Sequence, residues 1–276
     1  MRVLVTGPGG FVGRTLLPLL EARGHTVVRA GRREVGDIGP STRWPLAGVD
    51  AIVHLAAQVH APRAATEQFD RVNRQATESL ARAAAGAGVR RFVFLSSAKV
   101  SGERSARPLR ETDPPRPDSA YGRSKLAAEQ ALTGALILRP PLVYGPGVGA
   151  NFRALLRLCR SGLPLPFAGL ANRRSLIAVA NLADAILRGL EAPSLTGIYH
   201  VRDADYSTPE LIGELRRAMG LTPRLFAAPE ALLRPFVPGP LVESLQVDDS
   251  AFRRDFGWTP SVAPTTALAE TARTPL

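Results

Sequence analysis

A tyrosine and a lysine four residues apart open the stretch YGRSKLAAEQ, Tyr121 to Gln130. On a helix that spacing puts both side chains on one face, with Cβ atoms about 5–6 Å apart. A phenol has a reference pKa near 10, so it trades protons at neutral pH only when its anion is stabilised. An ammonium about 4 Å away, at an effective dielectric near 20, supplies an attraction of order 4 kcal/mol, roughly three pKa units. The spacing therefore predicts that Lys125 draws the Tyr121 pKa down toward neutrality. Lysine is scarce here: Lys99 and Lys125 are the only two among 35 basic residues. Ser97, closing the apolar run RFVFLSS, is the third candidate, preferred to Ser96, because a strand-end hydroxyl can hydrogen-bond a substrate oxygen and orient it. Taken alone, Tyr-x-x-x-Lys also describes an exposed helix pair worth tenths of a kcal/mol.

What must position these groups begins at the N-terminus. RVLVT, Arg2 to Thr6, reads as a buried strand, TGPGGFVG follows, and RTLLPLLEARG has helical periodicity. Glycines at 7, 10 and 13 let a turn bend tightly and bring backbone N–H groups and a helix N-terminus up to a pyrophosphate. A dinucleotide is thus predicted, and its oxidised nicotinamide would add positive charge beside the phenol. The second strand, TVVRA, runs into Gly31, Arg32 and Arg33, and no carboxylate appears before Glu34. Arginine at this place accommodates a 2'-phosphate, whereas an acidic residue binds free ribose hydroxyls. NADP(H) is favoured over NAD(H).

Further apolar runs, DAIVHLAA, RFVFLSS, ALILRP and GIYHV, alternate with helical patterns such as FDRVNRQATESLARAAAGAG. Continuous apolar strands between helices indicate a parallel sheet covered on both faces. The expected class is α/β, a Rossmann doubly wound parallel sheet with a smaller irregular C-terminal substrate lobe. From Gly145 the chain grows rich in proline and glycine and returns to the sheet near RSLIAVANLADAIL. Residues 1–145 with 171–202 are assigned to the dinucleotide domain, and 146–170 with 203–276 to the lobe.

Composition narrows the function classes. Apolar residues at 45% and charged residues at 21% exclude a disordered or fibrous chain. The net charge of +11 comes from arginines scattered without like-charge runs or interleaved aromatics, which argues against nucleic acid and fits attraction to phosphorylated small molecules. A lone Cys159 cannot form an internal disulfide, no Cys/His spacing suits a metal, and no apolar run approaches the roughly 20 residues of a membrane span. A cytoplasmic protein with no membrane partner is expected. His54 reads as a packed strand residue and His60 as a loop residue near the pocket; neither is given a role.

Through TGPGGFVG, DAIVHLAA, the helix around Asn73, SSAKVSG, YGRSK, LRPPLVYGPG and RRSLIAVANLADAI, the chain resembles the extended short-chain dehydrogenase/reductase family over nearly its whole length. That group contains nucleotide-sugar epimerases, dehydratases and reductases. The resemblance implies that Gly7, Gly10 and Gly13 hold the pyrophosphate, with Phe11 and Val12 in the same turn, while Asp37 and Ile38 border the adenine. Leu55, Ala56 and Ala57 would line the cofactor cleft, and Pro140 would flank the nicotinamide. Ser97, Tyr121 and Lys125 become the catalytic serine, the acid/base tyrosine and the lysine that also grips the nicotinamide ribose. Arg174 matches an arginine that contacts a substrate diphosphate, and Asn151 begins the sugar-nucleotide pocket. A homodimer through the helix bearing Lys125, Ala128 and Leu132 is implied by the same analogy.

Two departures bear on the reaction. Val100-Ser101-Gly102 stands where the family usually has an aromatic, which alters the pocket. Ala98 and Lys99 stand where dehydratases carry an acidic pair, which disfavours elimination of water. The best reading is a 4-keto nucleotide-sugar reductase, with hydride transfer at a sugar carbon, C4 being preferred. A UDP-sugar 4-epimerase is the alternative, and a noncatalytic NADP-binding regulator is the reading from another class.

Overall fold

The computed structural model describes residues 1–59 and 66–275. His60 lies outside the described residues. In chain order the elements are β1 (Arg2–Thr6), α1 (Phe11–Ala22), β2 (Thr26–Ala30), α2 (Arg32–Val35), β3 (Ala51–His54), α3 (Thr66–Phe69), a π-helical stretch Asp70–Gln75, and α4 (Ala76–Gly86). β4 (Arg91–Leu95), a short 3-10 turn Ala98–Val100, α5 (Ala120–Gln130), β5 (Leu136–Arg139), β6 (Leu142–Tyr144), α6 (Ala150–Arg160) and β7 (Arg174–Ala178) follow. The chain ends through α7 (Val179–Leu190), β8 (Gly197–His200), β9 (Ala204–Tyr206), α8 (Thr208–Ala218), α9 (Glu230–Leu233), α10 (Ser250–Phe256) and α11 (Pro264–Arg273).

Six strands form one sheet in the order β2-β1-β3-β4-β5-β8, every pair parallel. Side chains alternate across a strand, and both faces here are covered. Val3, Val5, Ala51 and Val53 enter the core shared with α1 and α7, while Leu4 and Ile52 join Leu80 and Ala84 of α4 on the other face. The apolar runs in the sequence are continuous for that reason. Strand order reverses between β1 and β3, and in open α/β sheets the crevice beyond the carboxyl ends at such a switch is where ligands bind. Gly7 leaves β1 there, and Leu55 to Ala57 leave β3 there.

A second, three-stranded sheet, β6-β7-β9, carries the smaller lobe. The run RSLIAV belongs to it by pairing, β7 lying parallel to β6 and antiparallel to β9, while Ile177 of β7 turns into the main core that α7 then continues. Phe152, Leu155 and Leu156 of α6, Leu211 and Leu215 of α8, and Leu268 of α11 bury one lobe core. Phe252 and Phe256 of α10, with Trp258, pack instead against Tyr199 of β8 in the main core. Of the residues named for a dimer on α5, Lys125 and Ala128 are buried within the chain and Leu132 is half-buried. Among the described residues no helix is long and apolar enough to cross a membrane.

Candidate active site

The glycine turn is held by its own backbone. The Gly10 N–H donates to the Gly7 carbonyl at 3.0 Å, and a Cβ on Gly13 would sit 2.5 Å from that same carbonyl, so no larger residue fits there. Gly10 caps α1 without any side-chain acceptor, which leaves the first N–H groups of the helix for a phosphate. Beside this turn lies a cavity of about 350 Å³ lined by Gly7, Gly10, Arg32, Asp37, Ile38, Leu55, Ala56 and Ala57. Val72 of the π-helical stretch completes it and was not foreseen. The residues present fit a dinucleotide: small side chains along the turn and a bare helix N-terminus.

Thr6, the last residue of β1, ties the two strand ends together. Its Oγ1 accepts the Leu55 and Ala56 N–H groups at 3.1 Å each, which leaves its proton for His54 Nδ1 at 2.6 Å. His54 Nε2 then carries a proton and meets Thr77 Oγ1 at 2.9 Å, and Thr77 donates to the Asn73 carbonyl at 2.6 Å. Burial, with the Lys125 charge nearby, pushes the His54 pKa down to about 3, so the ring is a neutral connector.

Asn73 is a site residue whose role sequence reasoning missed. Its Oδ1 accepts from the Gln58 N–H at 2.8 Å, and its Nδ2 donates to the Gln58 carbonyl at 3.0 Å and to Ser124 Oγ at 2.9 Å. It lies in the π-helical stretch, where one extra residue per turn redirects a side chain that a regular helical period would place elsewhere. The period of 3.6 read from the sequence gives no sign of it.

Ser119 caps α5, its Oγ accepting from the Gly122 N–H at 3.1 Å. A Cβ on Gly122 would stand 2.8 Å from the Lys99 carbonyl, so glycine lets the first turn of α5 lie on the segment after β4. That approach brings Tyr121 to Ser97. Ser97 Oγ is close enough to the phenol to favour its anion, and it accepts from the Lys99 N–H at 3.2 Å. Ser96 points the other way, into the interior, where it donates to the Glu129 carboxylate. Phe69 meets the Tyr121 ring edge to face at 6.3 Å. Pro140 is buried, and its carbonyl accepts the Ala98 N–H at 2.8 Å.

The electrostatics correct one expectation. Burial pushes the Tyr121 phenol up to about 12, with only the Ser97 hydroxyl pulling it back. Lys125 is 1% exposed, and burial pushes its ammonium down to about 7 while Glu129 pulls upward. Its Nζ lies 3.8 Å over the Phe94 ring. Desolvation, not ion pairing, therefore dominates both groups: near neutral pH the phenol keeps its proton, and the lysine stands near its own midpoint.

Arg32 and Arg33, read together from the sequence, part company. Arg32 lines the cavity beside the glycine turn, with its Nε 3.1 Å from Asp37 Oδ1, and also an adjoining hollow with Arg14 and Arg29, whereas Arg33 lines that second hollow and not the first. The Glu34 carboxylate folds back onto the Gly31 N–H at 2.8 Å, so an acid does reach the end of β2. Asn151 and Arg174 come together in a third cavity, about 210 Å³, walled by Leu142, Phe152, Leu155 and Leu211. Arg174 Nη1 donates to the Glu243 carbonyl at 3.1 Å, and burial lowers its pKa.

Comparison with known proteins gives the family. The NAD dependent epimerase/dehydratase family matches residues 3–201. This chain belongs to it. It is similar to UDP-glucose 4-epimerase of Vibrio cholerae, 33% identical over 98% of this chain and 94% of that protein. It is also similar to dTDP-4-dehydrorhamnose reductase of Streptomyces griseus, 33% identical over 80% of this chain and 77% of the other. Among solved structures, MoeE5 in complex with UDP-glucose and NAD superposes with a TM-score of 0.79, 26% identity, and coverage of 99% and 97%. The protein is thus an epimerase/dehydratase-family enzyme with the family's Rossmann-like fold, and its relatives are named as both epimerases and reductases.

Proposed function

We propose that this enzyme reduces the 4-keto group of a nucleotide sugar, with NADPH as reductant. The observation that carries the reading is the Ser97–Tyr121 hydroxyl pair, with Lys125 one turn along α5, at the carboxyl edge of the sheet. A bound nicotinamide supplies the hydride. Ser97 orients the keto oxygen, and Tyr121, held protonated by burial, delivers its proton to that oxygen as charge develops there. Lys125 offers the cation that sustains the resulting phenolate, and its position on the inner face of α5 suits the nicotinamide ribose. Gly7, Gly10, Gly13, Phe11 and Val12 receive the pyrophosphate, Asp37 and Ile38 border the adenine, and Pro140 flanks the nicotinamide. Arg174 and Asn151 are assigned to the substrate's diphosphate and sugar. Arg32, exposed at the cavity rim, supports a 2'-phosphate.

A second reading, UDP-sugar 4-epimerase with NAD retained, is favoured by one observation. Glu34 places a carboxylate on Gly31, where it suits ribose hydroxyls and repels phosphate. A homodimer stays part of the proposal, through surfaces other than Lys125 and Ala128, and a cytoplasmic setting suits such substrates. Incubation with UDP-glucose, UDP-GlcNAc and a UDP-4-keto-6-deoxy sugar, with and without NADPH, tests the two readings. Stoichiometric NADPH loss with the keto sugar is expected. Interconversion of the UDP-sugars without net cofactor change would replace the reductase reading by the epimerase one.

A further inference from the structure

Glu129 lies one turn beyond Lys125 on α5 and is 5% exposed. Ser96 Oγ donates to its Oε1, Arg139 Nε reaches Oε1 at 3.0 Å, and Arg139 Nη2 reaches Oε2 at 2.5 Å. Arg139, itself 2% exposed, sends Nη1 to Ser101 Oγ at 3.1 Å, and that hydroxyl meets His200 Nε2 at 2.9 Å. Three members of the cluster are next to residues the proposed reaction uses. Ser96 precedes Ser97, Arg139 precedes Pro140, and Glu129 follows Lys125 by one turn.

Stability alone is a poor reason for such a pair. Desolvating two ions costs several kcal/mol each, and well-packed apolar replacements are often neutral or stabilising. An apolar pair would, however, remove a charge from beside Lys125. The groups beside that ammonium are Glu129 from α5, neutral His54 from β3 and the Phe94 ring from β4, with Tyr121 one turn earlier on α5 and Arg139 of β5 behind Glu129. Glu129 is the carboxylate that favours the charged lysine, and Arg139 partly cancels it.

Resting on the reading that Tyr121 and Lys125 carry the proton chemistry, we infer that the Glu129–Arg139 pair is a positioning device for the catalytic trio. Glu129 favours the charged form of Lys125 against the pull of burial and, through Ser96, fixes the strand end that presents Ser97. Arg139 anchors Glu129 and limits how much of its charge reaches Lys125.

The test is the pH profile of kcat/KM, whose alkaline limb reports loss of the Lys125 proton. Glu129→Gln keeps the shape and removes the charge, so the limb should move to lower pH by about one unit or more, the order for loss of a nearby unit charge in a buried place. Arg139→Gln leaves Glu129 uncompensated, and the limb should move the opposite way. Glu129→Asp should bring the limb back toward that of the parent enzyme. Ser96→Ala, which keeps every charge, should lower kcat without moving the limb. Profiles of Glu129→Gln and Arg139→Gln that are merely scaled down, or displaced in the same direction, overturn the inference. If Glu129→Gln does not fold, the upward displacement in Arg139→Gln decides alone, and its absence counts against the pair. Failure of the underlying reading is separate, since it shows as a Tyr121→Phe enzyme with undiminished rate.

Discussion

Asn73 Nδ2 and Ser124 Oγ, on elements far apart in the chain, are joined at 2.9 Å, and the same Asn73 clasps both backbone polar groups of Gln58. Ser124 donates onward to the Tyr121 carbonyl at 2.8 Å, so the wall of the dinucleotide cavity and the first turn of α5 share one side chain. Replacing Asn73 by leucine removes its hydrogen bonds to the Gln58 N–H, the Gln58 carbonyl and Ser124 Oγ, each worth about 0.5–1.5 kcal/mol. A lower Tm and a fall in kcat together are expected, measured by thermal unfolding and steady-state turnover. A variant that loses stability but keeps kcat would mean that the link to α5 has no catalytic consequence.

Tyr121→Phe removes the proton donor while leaving the turn at Gly7 to Gly13 intact. Turnover should fall by about 10²–10⁴-fold, the range that a positioned proton-transfer group contributes. Dinucleotide affinity, followed by fluorescence titration, should change little, because the assigned pyrophosphate contacts lie in the glycine turn and the first turn of α1. Because burial holds the phenol at about 12, the parent enzyme should keep Tyr121 protonated up to high pH, and no tyrosinate absorbance should appear below pH 10 for this residue.

His54 titrates at about 3 when folded and near 6.5 when unfolded, so between those values the unfolded chain binds the extra proton. Its contribution to stability is therefore complete above pH 6.5 and is lost as pH falls toward 3. His54→Asn removes that dependence. Between pH 6 and 4 its unfolding free energy should fall less steeply than the parent's, by roughly 1.4 kcal/mol per pH unit. Denaturant unfolding across that range measures the slopes, and parallel slopes would show that His54 is protonated in the folded protein.

The main sheet was legible because its strands are buried on both faces, so RVLVT, RFVFL and LILR stand out as unbroken apolar runs. The glycine turn and the Tyr121–Lys125 face were legible because each depends on spacing within one local element. What spacing could not carry was long-range. RSLIA is as apolar as a main-sheet strand, and only its pairing with Leu142 to Tyr144 and with β9 assigns it to the lobe. Phe252, Phe256 and Trp258 read as lobe residues by position, yet Tyr199 draws them into the main core. For a related reason the protein's own groups do not supply the drop in the Tyr121 pKa expected from Lys125 together with a nicotinamide. Helical spacing fixes how near a cation lies, but how much water is excluded depends on β3, β4 and the π-helical stretch packing over α5.

The corner after β2 carries opposed charges, Arg32 on one side and Glu34 on the other, and this makes cofactor choice a measurable balance. Arg32→Ala should raise the KM for NADPH by about tenfold, the order for one charge-assisted hydrogen bond to phosphate, and leave that for NADH nearly unchanged. Glu34→Gln removes the carboxylate that sits on the Gly31 N–H and should shift preference the opposite way, toward NADPH, because a neutral amide no longer repels the 2'-phosphate. The ratio of kcat/KM for the two cofactors, taken for both variants and the parent, reads this directly. A ratio untouched by Arg32→Ala but strongly raised by Glu34→Gln would assign the corner to ribose hydroxyls, and with it the NAD-retaining epimerase chemistry.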